Sequence, residues 1–110
     1  MALYNISTTR DGAGQIAVAV DLVYDEGGNR QVTAVQVETT IPLRYLRIAT
    51  EFQGQPLALE PAPDPATGTI APSVWSYPLP LGTFSLASAT QGGRTTMTSL
   101  PPVSVTVGYP

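Results

Sequence analysis

A chain of 110 residues with 43% hydrophobic content can bury one core, which excludes gross disorder and leaves room for a single domain. Eight carboxylates outnumber five arginines, for a net charge of −3, and Lys, His and Cys are absent. That composition removes the clustered cations needed for nucleic acid, any disulfide framework, thiolate or Schiff-base nucleophiles, and imidazole acid–base chemistry.

Charged residues make up 12% of the chain, about half of the ~25% found in an ordinary soluble domain. Solvent-facing polar groups must therefore come largely from the 14 Thr and 7 Ser. No apolar run is long enough to cross a bilayer. The opening Met-Ala-Leu-Tyr-Asn-Ile-Ser lacks a charged segment followed by an apolar one, so a secretory signal is not expected and synthesis is placed in a cytosol.

In chain order, residues 3–8 read as a first strand, with Tyr4, Ile6 and Thr8 on one face. The run Arg10-Asp11-Gly12-Ala13-Gly14 follows as a turn, with Asp to open it and glycines to permit unusual φ. A five-residue loop there places Ile6 opposite Val18 and Tyr4 opposite Val20. Residues 15–24 and 31–40 form the clearest element, a β-hairpin around Gly27-Gly28. Its first arm alternates Ile16, Val18, Val20, Leu22 and Tyr24 on one face. A two-residue loop at the glycines pairs Val20 with Val35, Val18 with Val37, Leu22 with Thr33 and Ala19 with Gln36. Slipping by one residue would mix apolar and polar faces. A three-stranded meander is expected from the first forty residues.

Pro42 interrupts the strand signal, which resumes over residues 43–52. A helix opening at Pro42 competes, but the alternation of Leu46, Ile48, Thr50 and Phe52 favours a strand. Residues 57–59 read as a short strand after the turn at residues 53–56. From residue 61 the character changes, since ten of the eleven prolines lie at or after Pro56. Residues 61–72 read as a Pro-rich loop and residues 73–81 as an aromatic edge strand or loop. A second hairpin is expected from residues 83–90 and 95–100 around Gln91-Gly92-Gly93-Arg94. A final strand alternates Val103, Val105 and Val107. The expected domain is residues 1–110, with a meander core over 1–60, the loop over 61–72, and the second hairpin and C-terminal strand over 73–110. Its class is all-β: a single antiparallel sandwich or small barrel of six to eight strands with an extended Pro-rich second half.

Candidate sites are few. Asp25-Glu26 beside the glycines offers too few spaced oxygens for a calcium cage and reads as a solvated turn. No Asp-x-Asp or Glu-x-x-Glu pair occurs, neither Gly-Gly opens a helix as a phosphate loop would, and catalysis is not expected. Asn5-Ile6-Ser7 fits the glycosylation triplet but has no secretory context. Asp21 and Glu38 belong to the less apolar face of the hairpin, either a solvated side or a small-residue docking face. The interface candidates are Trp75, Tyr77, Val74, Pro78 and Pro80, with Arg44 and Arg47 as the one close pair of cations. Trp75 and Tyr77 fill a core or an interface, or form a platform for a sugar or Pro-rich ligand. No cofactor or metal is called for.

Taken as a whole, the small size, the absence of cysteine, the β patterning, the sparse charge and the Pro-rich second half resemble the accessory proteins of tailed-phage virions, above all capsid decoration or cement proteins. The resemblance implies a non-enzymatic virion protein, made in the host cytoplasm without a signal. Its partners would be itself, as a homo-oligomer, and a larger assembly such as a capsid, with neither nucleic acid nor membrane involved. A tail, neck or fibre component fits the same profile, and a carbohydrate- or protein-binding sandwich using Trp75 and Tyr77 is the reading from another class. For a clamp, residues 61–80 are expected to become ordered only on contact with another subunit.

Overall fold

A computed structural model describes residues 2–27, 30–52, 55–79, 86 and 102–110. Seven strands are present among them: β1 Ala2–Arg10, β2 Ile16–Tyr24, β3 Val32–Thr39, β4 Tyr45–Phe52, β5 Gln55–Leu59, β6 Val74–Pro78 and β7 Val103–Gly108. They build two antiparallel sheets, one ordered β1-β2-β3-β6 and the other β5-β4-β7. The sheets pack face to face as an open sandwich and do not close into a barrel. Of the expected hairpin arms at residues 83–90 and 95–100, Leu86 alone is described: it is buried and its N–H donates to Arg30 O at 3.1 Å. β6 pairs with β3 and β7 with β4, so neither strand is paired with the other.

The core forms where the two inner faces meet. On β2 the inner-face residues Val18, Val20 and Leu22 are buried, and on the opposite face Ala17, Asp21 and Val23 are buried as well. Rows of paired residues run across the whole first sheet: Tyr4, Leu22, Val35 and Tyr77 form one, and Ser7, Val20, Val37 and Trp75 another. From the second sheet, Leu46, Ile48 and Leu59 are buried in the same cluster, with Val103, Val105 and Val107 packed against it. Full burial of each such aliphatic side chain contributes about 1.5–3 kcal/mol.

The central hairpin keeps its expected face but not its expected register. Val20 pairs with Val37, Leu22 with Val35, Val18 with Thr39 and Ala19 with Glu38, a shift of two residues. The turn is longer than two residues: Arg30 N–H donates to Gly27 O at 3.0 Å, Asp25 N–H donates to Gln31 O at 2.9 Å, and Arg30 takes φ 45°. The bulge between Val23 and Tyr24 accounts for one residue of that shift and the longer turn for the other. A two-residue shift preserves side-chain parity, and it replaces Leu22–Thr33 by the better apolar pair Leu22–Val35.

The first hairpin also departs from expectation. Its loop is five residues long but lies one residue later than expected, at residues 11–15, which sets Tyr4 opposite Leu22. Between the bulge at Ile6 and a second irregularity at Thr9/Arg10, Thr8 turns to the outer face opposite Ala19. The Asp11 carboxylate accepts from Ala13 N–H and Gln15 N–H, both at 2.9 Å, and Gly14 takes φ 85°. That φ is costly for any residue with a Cβ.

The Pro-rich segment is ordered within the single chain. Asp64 O accepts from Gly68 N–H at 2.7 Å, Asp64 Oδ1 accepts from Ala66 N–H at 2.8 Å, and the loop is folded on itself. Ile70 is buried and exchanges two backbone hydrogen bonds with Leu43. Beyond it, Ser73 and Thr39 are joined by Thr39 N–H donating to Ser73 O and Ser73 N–H donating to Thr39 Oγ1. Over residues 61–79 the segment therefore has hydrogen bonds and a buried anchor within the chain itself. A buried isoleucine and an added strand hold it in place.

Candidate functional site

The interface candidates divide between two faces of the first sheet. Trp75 and Tyr77 pair with the fully buried Val37 and Val35, so they belong to the inner face and are half-buried against the core. The alternation that turns them inward turns Val74, Ser76 and Pro78 outward, where all three are exposed. Pro80 lies outside the described residues. Arg44 and Arg47 do not make one patch. Arg47 shares the outer face of β4 with Tyr45, while Arg44 lines an open cavity of about 280 Å³ with Thr67, Gly68, Thr69 and Pro110.

The outer face of the first sheet is a low-charge mosaic built by cross-strand register. One row reads Leu3, Val23, Ala34 and Pro78; the next reads Asn5, Asp21, Gln36 and Ser76; the third reads Thr8, Ala19, Glu38 and Val74. Asp21 is nearly buried, and its Oδ1 accepts from Asn5 Nδ2 at 2.9 Å. The same Asn5 amide also reaches Val20 O and Ser7 O, while Asn5 Oδ1 accepts from Thr8 Oγ1 at 2.8 Å. Asn5 thus braces the bulge at Ile6, which commits the amide of the would-be glycosylation triplet. Glu38 is the one charged side chain of these rows left open to solvent.

On the outer face of the second sheet, Tyr45 donates its hydroxyl to Glu60 Oε1 at 3.1 Å. Its pKa is raised, first by partial burial and then by the Glu60 carboxylate, with Arg47 opposing. Burial alone raises that of Tyr77. A shallow groove of about 350 Å³ lies between Ala49, Glu51, Pro56, Pro102 and Ser104. Asp25 Oδ1 accepts from Gly27 N–H at 3.1 Å, so this carboxylate serves its own turn. Among the described residues no group of three or more His, Cys, Asp or Glu is placed to hold a metal ion.

Composition and alternation did not single out Leu3 and Tyr4, which are 50% and 44% exposed at the start of β1. The available signal was an apolar start to a strand with no charge before Arg10. No family model, curated protein or solved structure matches the chain.

Proposed function

We propose that this chain is a non-enzymatic structural protein of a virion, of the capsid decoration or cement type, which stabilises an assembly by binding between its subunits. The observation that carries the proposal is the outer face of the four-stranded sheet. Among the described residues its exposed part is made of small, amide and hydroxyl side chains around the buried Asp21 and Val23 of β2, rimmed by exposed Leu3, Val74 and Pro78, with Glu38 as the one solvated charge of the three rows. Depletion of charge with retained hydrogen-bonding groups is what the centre of a protein–protein contact requires. A tail, neck or fibre role would use the same face. The inward placement of Trp75 and Tyr77 weighs against a sugar platform built on them, because a stacking platform needs an open ring face.

The test is to add the purified chain to tailed-phage capsid shells stripped of their decoration layer. Co-sedimentation at a fixed stoichiometry and a higher temperature of shell disruption are expected. Failure to bind shells, together with glycan binding that quenches Trp75 fluorescence, would overturn the proposal.

A further inference from the structure

We propose that β1 is a self-association edge, at which two copies pair antiparallel through Ala2–Asn5 and join their four-stranded sheets into one sheet of eight strands. β1 ends its sheet and pairs with no described strand other than β2. An unpaired edge presents a row of backbone donors and acceptors, and proteins normally blunt it with charge, proline or shortness. Of the other three edges, two carry proline within the strand, Pro56 in β5 and Pro78 in β6, and Pro102 stands just before the third, β7. β1 carries such devices only beyond Asn5: bulges at Ile6 and between Thr9 and Arg10, and the charge of Arg10 at its end. At nine residues it shares the greatest strand length, and it has neither proline nor charge from Ala2 to Thr9.

The bulge at Ile6 divides the strand into two regular stretches, Ala2–Asn5 and Ser7–Thr9, and the four-residue one lies clear of the second irregularity and of Arg10. That stretch holds the exposed Leu3 and Tyr4.

Charge selects the partner. An uncharged strand on an acidic molecule offers nothing to a basic or acidic peptide, whereas two copies of it meet with no like charges opposed. Symmetry then fixes the register. In a two-fold antiparallel pair, the residues opposite each other must face the same side of the sheet, so the axis passes through Leu3 or through Tyr4. An axis at Tyr4 sets Tyr4 against its own copy and Leu3 against Asn5, and an axis at Leu3 sets Leu3 against itself. Either choice keeps the low-charge outer faces of the two copies contiguous. The pairing therefore deepens the decoration role by doubling the proposed docking face, and that link rests on the role proposed above.

The chain has no cysteine, so single substitutions report pairing without background. Leu3→Cys and Tyr4→Cys are oxidised at concentrations where sedimentation equilibrium shows dimer. One of the two is expected to give a disulfide-linked dimer, and Val74→Cys, on the opposite edge strand, is expected not to. Leu3→Lys and Tyr4→Lys place like charges at the axis and should weaken the dimer by about tenfold or more, with the circular dichroism of the sandwich unchanged. A chain monomeric up to submillimolar concentration, a dimer that withstands both lysines, or equal crosslinking at Val74 overturns the edge. A monomer that still binds shells would remove the edge and leave the decoration role standing; a β1-linked dimer that binds none would do the reverse.

Discussion

Thr50 is 6% exposed on the inner face of β4, and its buried hydroxyl has no hydrogen-bond partner among the described residues. A buried hydroxyl that gives up water without replacement is a standing cost. Thr50→Val keeps the β-branched shape and removes that cost, so chemical denaturation should show a gain of about 1 kcal/mol. Tyr77 and Tyr45 supply the pH response at this scale. Both have pKa values raised above 10.0, so the neutral phenol is favoured in the folded chain. Their contribution is complete below the ordinary value and is lost as the pH climbs through the raised one. Stability should therefore fall at alkaline pH, and the tyrosinate absorbance of the folded chain should lag that of the unfolded chain. Tyr45→Phe should remove Tyr45's whole share of the lag, and Glu60→Gln only the part that comes from the carboxylate.

Among the elements, the Pro-rich connection shows how one residue anchors many. Ile70 is the buried foot of residues 61–73, tied to Leu43 by two backbone hydrogen bonds. Ile70→Ala should cost about 2–5 kcal/mol, and limited proteolysis should then cut within residues 61–69 while β2 and β3 stay protected. Element type was legible wherever one face alternated cleanly, as in β2, β4 and β7. Register was not, because shifts of two residues leave every side chain on its face; only the bulges at Ile6 and Tyr24 and the long turn at Gly27–Arg30 decide it. Alternation was equally silent about Trp75 and Tyr77. Their neighbours Val74 and Pro78 are also apolar, so either parity could have faced the core. Nor could local pattern show that β4 leaves the meander for a second sheet, since that follows from the packing of Leu43 and Leu46 against residues far away in sequence.

At the scale of the molecule, stability rests on apolar burial between the sheets, with few charges and no covalent link. Its denaturation midpoint in urea should thus shift little between low and moderate sodium chloride, since screening acts on charge pairs that are scarce here. A large fall with salt would show electrostatics to be holding the fold. The strand order carries a consequence of its own. The chain lays down three strands of the first sheet, then two of the second, returns to the first for β6 and finishes the second with β7. During synthesis the meander emerges early, yet β4 lacks one of its two neighbours until Val103–Gly108 has left the ribosome. Among the described strands, then, β4 gains its second neighbour only once Val103–Gly108 has been made, and the second sheet's apolar face stays part-covered until that point.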